Sequence, residues 1–241
     1  MLDLFQNLFA PPRHLILLVL ALWTGMGLAE RRAEQHGISR EQLSNLVFYS
    51  LAGYILGGRI AFVLENLTSF IRSPLDIFSI SPNIFDPLAA AVSALLAGVI
   101  YVYRQKLPAW NIVDALTPVF AVLAIGLGLS HLAAETAYGS PTEFPWGIEM
   151  RNAVRHPSQM YEILAALLTF GLVWFQRPGA RPGVLFLTFA ALTAASRLFL
   201  EAYRGDSHFV FGGIRSAQLI ALVALILSFV LYDYIQKKST E

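Results

Sequence analysis

Seven stretches of this chain, 14–29, 43–67, 86–103, 110–137, 158–176, 183–203 and 216–236, are apolar over about the length that a bilayer-crossing helix needs. In hydrocarbon no water satisfies backbone N–H and C=O groups, so a lone spanning segment must bond them internally, as a helix does. The chain therefore reads as an all-α integral membrane protein of about seven transmembrane helices in one bundle, a single membrane domain over 1–241. Composition agrees: 56% of the residues are hydrophobic and 14% charged, against about 25% charged in soluble domains.

The first stretch ends in Gly27-Leu28-Ala29, which resembles a signal-peptide cleavage site. Its leading segment carries Asp3, however, and its clustered positive charges follow the apolar run, so it reads as a retained helix. Loop charges set the orientation. An outside N-terminus places Arg31, Arg32, Arg40, Arg104, Lys106, Arg177, Arg181, Lys237 and Lys238 in the cytoplasm. Fewer basic residues (Arg13, Arg72, Arg151, Arg155, Arg204 and Arg215) are left outside, which favours N-terminus out and C-terminus in. The outer loops at 68–85, 138–157 and 204–215 are the longer ones and hold most of the turn residues, so function is expected to face outward. A net charge of +1 with scattered basic residues gives no field for nucleic acid. The absence of cysteine excludes disulfides, Cys-ligated metal and a thiol nucleophile of its own.

A charged group deep in a bilayer costs about 2.5–3.5 kcal/mol on insertion scales, so ionisable residues inside the spans are the informative ones. Arg59 follows two glycines in Gly57-Gly58-Arg59-Ile60, which would let a backbone or a lipid head group approach the guanidinium. A snorkelling or helix-pairing arginine fits the same pattern. The sixth span ends with Arg197, Glu201 and Arg204 at spacings of four and three. On a helix that face has two guanidiniums sharing one carboxylate and a net positive charge suited to a phosphate, or it is a structural ion pair. His131 and Glu135, four apart at the end of the fourth span, are an acid/base candidate or an interhelical pair. They are too few for a catalytic zinc, and no metal is expected. His156, before Pro157 at the start of the fifth span, suits a general base, a phosphate-binding group or a helix cap. Glu162 lies within the first two turns of that span, and Gln159 and Tyr161 fit an interfacial belt.

Together these pieces resemble the prolipoprotein diacylglyceryl transferase family. The resemblance rests on Gly57-Gly58-Arg59-Ile60, Asp114 and Pro118, Tyr138-Gly139 with Pro141-Thr142 and Pro145-Trp146, His156-Pro157-Ser158-Gln159 with Tyr161-Glu162, and Arg197, Glu201 and Arg204, in order along nearly the whole chain. It implies a multi-pass enzyme of the bacterial plasma membrane, needing no cofactor, with its site toward the outer leaflet. Such an enzyme transfers diacylglyceryl from phosphatidylglycerol to the thiol of a lipobox cysteine in a prolipoprotein, releasing glycerol phosphate. Arg59, Arg197, Glu201 and Arg204 would then bind substrate, and His131, Glu135 and His156 would serve acid/base chemistry. The acceptor supplies the cysteine that this chain lacks.

Departures accompany the resemblance. The family's His-Gly-Gly-Leu segment is replaced by Pro82-Asn83-Ile84-Phe85-Asp86-Pro87-Leu88. Where its Gly-Arg-x-Gly-Asn signature should fall, Gly128 stands at the arginine and His131 at the first asparagine, and Thr193 replaces a tyrosine. Asp86 joins the histidines as a candidate for a rearranged site. The alternative is a catalytically altered or inactive relative that binds phospholipid head groups. A transporter is disfavoured by the absence of paired broken helices.

Overall fold

The computed structural model describes residues 2–78, 85–176, 181–210 and 212–237. The orientation assignments of Arg177 and Lys238 and the replacement at 82–84 lie outside them. Two compact units are distinguished, one made of Met1–His36 with Val113–Glu241, the other of Gly37–Ile112.

In the first unit a short helix α1 (Leu2–Leu8) precedes α2 (Leu15–Ala33). Leu17, Ala21, Gly25, Ala29 and Ala33, four apart, form its buried stripe. The small residues let α2 lie against the fourth-span helix, where a Cβ on Gly25 would stand 3.0 Å from the Cα of Val119. A 3₁₀ turn, Glu34–His36, closes this segment.

The second unit pairs α3 (Arg40–Glu65) with α5 (Pro87–Arg104). Ser39 opens α3 with a capping box: its hydroxyl accepts from the Gln42 N–H and the Gln42 side chain accepts from the Ser39 N–H. Asp86 caps α5 by accepting from the Ala89 N–H, and its own N–H donates to the Gly58 carbonyl at 3.0 Å. Gly57 and Gly58 thus admit the α5 segment: a Cβ on Gly58 would stand 2.5 Å from Cζ of the Phe85 ring. Arg59 donates to the Asp76 carbonyl at 2.6 Å, bridging to the turn Pro74–Phe78 beyond α4 (Leu67–Arg72).

The fourth-span helix, α6 (Ala109–Ala133), ends earlier than the expected 137. Then come α7 (Ser158–Phe175), α8 (Val184–Leu200) with a 3₁₀ turn Glu201–Tyr203, and α9 (Ser216–Lys237). Ala121, Val173, Leu185 and Phe189 form the core of this part. Asp114, buried on α6, accepts from the N–H groups of Gly183 (2.6 Å) and Phe186 (2.8 Å). Its carboxylate therefore caps α8 from another helix, which accounts for an acid inside an apolar span.

Among the described residues six helical segments are long and apolar enough to cross a membrane: α3, α5, α6, α7, α8 extended to Tyr203, and α9. The first expected span, 14–29, is helical as part of α2, which runs on through Glu30, Arg31 and Arg32 to Ala33. Two small hairpins, β1 (Ile148–Met150) with β2 (Ala153–Arg155) and β3 (Phe209–Val210) with β4 (Ile214–Arg215), lie in the connections.

Candidate functional site

The site gathers where α6 ends, α7 begins and α8 ends, all within the first unit. Its centre is Glu162, on the second turn of α7. Its Oε1 accepts from Nη1 of Arg197 at 2.7 Å and from Nη1 of Arg204 at 3.0 Å, while Oε2 lies 3.9 Å from Nδ1 of His131. Nη2 of Arg197 is 3.0 Å from the carboxylate of Glu201, itself buried and holding the Ser207 hydroxyl at 2.7 Å. Arg204 grips Asp206 through two parallel hydrogen bonds of 2.8 Å. Arg215 donates to the backbone carbonyls of Glu201 and Arg204.

This arrangement corrects the expected helical face. Glu162 is the shared carboxylate, not Glu201, because α8 gives way to a 3₁₀ turn at Glu201 and Arg204 takes up extended backbone (φ −78°, ψ 141°). Arg204 thereby leaves the α8 face and reaches across to α7. Nor are the two guanidiniums left unmatched: Arg197 and Arg204 are paired with Glu162, Glu201 and Asp206. Burial works against the charge of Arg204, but the hydrogen bonds and charges of Asp206 and Glu162 outweigh it, raising its pKa above the ordinary arginine value.

His131 and Glu135 do not share a helical face. The helix stops at Ala133, and Glu135 sits exposed in a left-handed turn at φ +52°, its carbonyl accepting from Arg151. His131 turns instead toward Glu162. His156 is not the cap of α7: Pro157 holds that position, without a side-chain capping bond. The imidazole is buried among Phe144, Tyr161 and Tyr203, with Nδ1 3.3 Å from the Tyr161 hydroxyl, which also accepts from the Trp146 indole at 2.8 Å. Gly139 lies directly on the His156 backbone, where any Cβ would collide. Gln159 is fully buried, not interfacial: its amide donates to the Thr136 carbonyl at 2.8 Å, as the Ser158 hydroxyl does to Ala137 at 2.7 Å. The connection between α6 and α7 is also stitched to the end of α8, through Ser140 N–H to Tyr203 O and Gly205 N–H to Tyr138 O.

Two apolar clefts meet at Arg197. One, of about 300 Å³, runs between α8 and α9 and is lined by Ala190, Ala194, Ala217 and Ala221; the other, of about 250 Å³, lies among α6, α7 and α8. Phe189, Thr193 and Arg197, four apart on α8, line both, and Glu162 lines the second. Gly128, also on the second cleft, faces Ile163 so closely that a Cβ would stand 2.6 Å from its side chain. Arg59 belongs to the other unit, where its guanidinium also faces the Phe70 ring. Asp86 is in that unit as well, and its carboxylate caps α5.

Sequence reasoning placed Glu162 near the site without its role as hub, and passed over Asp206, Ser207 and Tyr203. For Glu162 the signal was available, since a carboxylate on the second turn of an apolar helix demands a partner as strongly as an arginine does.

A mostly helical protein with several spans of membrane-crossing length, holding a guanidinium–carboxylate cluster whose Arg197 lines two apolar clefts, is a multi-pass membrane protein. Residues 14–234 match the family model for prolipoprotein diacylglyceryl transferase. The chain is 31% identical over 217 residues to the phosphatidylglycerol–prolipoprotein diacylglyceryl transferase of Thermotoga maritima, covering 84% of this chain and 73% of that one. It is 30% identical to the enzyme of the same name from Symbiobacterium thermophilum (94% and 89% covered) and 24% identical to that from Clostridium tetani (90% of each). The chain belongs to the prolipoprotein diacylglyceryl transferase family.

Proposed function

We propose that this protein transfers the diacylglyceryl group of phosphatidylglycerol to the thiol of a lipobox cysteine in a prolipoprotein. The names of its relatives support the donor and the acceptor class. The observation that carries the reading to this chain is the convergence of Arg197 and Arg204 on one point at the head of two apolar clefts. Guanidiniums held in place suit a phosphate that gains charge as its ester bond breaks, and the clefts suit acyl chains.

In the reaction the acceptor sulfur attacks the glyceryl carbon bonded to the phosphate oxygen. A carbon–sulfur bond forms, the carbon–oxygen bond breaks, and glycerol phosphate leaves with the electron pair. The thiol proton passes to a base, for which His131 is the choice: its imidazole is the titratable group beside the Glu162–arginine cluster. His156, caged by aromatic rings, is assigned to positioning the 138–157 connection, and Glu135, exposed in its turn, to neither role. Arg59 is retained as a head-group-binding residue on the strength of the resemblance. We further assign seven spans in a single membrane domain of the bacterial plasma membrane, N-terminus out, with the site toward the outer leaflet, on the strength of the loop charges.

The test is to incubate purified protein with phosphatidylglycerol and a lipobox peptide and to look by mass spectrometry for a thioether-linked diacylglyceryl product. No product, with lipid binding intact, would establish the second reading, a head-group-binding relative without transfer. That reading is favoured by Gly128, which stands where the family's signature carries an arginine and where Ile163 leaves no room for a side chain.

A further inference from the structure

Glu162 does two things that a merely structural carboxylate need not do together. Its Oε1 occupies the point on which the Nη1 atoms of both Arg197 and Arg204 converge, at 2.7 and 3.0 Å, as one oxygen of a bound phosphate would. Its Oε2 faces Nδ1 of His131 at 3.9 Å, beyond hydrogen-bond range, and that buried nitrogen has no hydrogen-bond partner among the described residues. A carboxylate engaged on one side and a buried imidazole nitrogen left open on the other define two arrangements of one side chain. In the first Glu162 bridges the arginines; in the second it accepts a hydrogen bond from His131.

Resting on the transferase reading above, we propose that Glu162 is an exchangeable placeholder for the lipid phosphate. An arriving phosphodiester takes the convergence point of Arg197 and Arg204 and displaces the Glu162 carboxylate onto His131. Each guanidinium keeps a second carboxylate of its own, Glu201 for Arg197 and Asp206 for Arg204, so both stay aimed while Glu162 leaves. The exchange has two effects. The arginines do not face the cleft with an unmatched charge before lipid arrives, which a low-dielectric site would penalise. The imidazole gains an orienting carboxylate only once the phosphate is seated, so the base is completed by the substrate. Glu162 is therefore a positioning residue, and its exchange with phosphate favours anionic phosphodiester lipids over neutral diacyl lipids.

The experiment titrates phosphatidylglycerol, and separately a neutral diacylglycerol, into the full-length protein in non-ionic detergent, with detergent melting recorded for each variant. Removing the competing charge in Glu162→Gln should tighten phosphatidylglycerol binding on the order of fivefold, the worth of a partly exposed ion pair, and leave diacylglycerol binding unchanged. His131→Ala, which removes the alternative partner, should weaken phosphatidylglycerol binding by a similar factor although His131 does not touch the phosphate. Arg197→Lys separates the proposal from the reading beneath it. If Arg197→Lys weakens phosphatidylglycerol binding while Glu162→Gln leaves it equal or weaker, the phosphate site stands and the placeholder role is overturned. If Arg197→Lys and Glu162→Gln both leave binding unchanged, the phosphate reading fails and the proposal with it. Equal tightening for both lipids also overturns it. Should Glu162→Gln fail to fold, His131→Ala decides alone, and unaltered phosphatidylglycerol binding in that variant overturns the exchange.

Discussion

At the scale of the single residue, Arg197 should tolerate even a conservative exchange poorly. It meets Glu162 with one nitrogen and Glu201 with another, and it heads both clefts. Lysine keeps the charge but offers a single point in place of a planar fork. Arg197→Lys should lower the transfer rate by about 10- to 100-fold, the equivalent of one lost charge-assisted hydrogen bond, while the protein still inserts and purifies. The two histidines should part company in the same assay. His131→Gln should abolish transfer, whereas His156→Phe, which keeps a ring among Phe144, Tyr161 and Tyr203, should retain most of it and lose about 1 kcal/mol of stability with the Tyr161 contact. The arginines and Glu201 were legible in the sequence because charge inside an apolar run has few innocent explanations. Their partners were not. Helical spacing assigned Arg204 to Glu201, and a single 3₁₀ turn, which no local residue announces, sent it to a carboxylate 42 positions away.

At the scale of the element, the apolar stretches located the long helices to within about four residues, and α6 shows why an end can be missed. Its apolar pattern runs on to Ala137, but Glu135 and Ala137 both have left-handed backbone, and Gln159 and Ser158 capture the carbonyls of Thr136 and Ala137. Tertiary hydrogen bonds ended that helix, and a pattern read along one segment does not contain them. The glycines of α3 were legible as sites of close approach, though what approaches is α5. Gly58→Val should therefore force the Phe85 ring and α5 aside at a cost of about 1–3 kcal/mol, visible as a lower detergent melting temperature. His36, in the turn after α2, has its pKa lowered by burial; the charge of Arg32 acts in the same sense and Asp114 opposes it. The folded protein thus prefers the neutral imidazole. Its contribution to stability is intact above the ordinary histidine value of 6.5 and is lost as pH falls through that value toward the lower folded one. Melting measured between pH 7.5 and 5.5 should show this loss, and His36→Gln should flatten it.

At the scale of the whole molecule, the absence of cysteine turns orientation into a direct measurement, since any introduced cysteine is the sole thiol. In intact cells a membrane-impermeant maleimide should label Glu143→Cys, in the exposed connection before α7, and should not label Gln35→Cys, beyond the end of α2, until the membrane is opened. The reverse pattern would invert the topology. The pairing of Glu162 with Arg197 and Arg204, which lie 35 and 42 residues later in the chain, bears on how the protein is made. A ribosome delivers α7, with Glu162 on its second turn, before it has translated the arginines that neutralise that carboxylate. Glu162 must therefore enter the bilayer with His131 of the preceding helix as its only neighbour from this cluster, and it recruits Arg197 and Arg204 only when the following span arrives. A chain truncated after residue 176 and released should consequently be a poor membrane resident, prone to degradation, and one truncated beyond residue 210 should be retained.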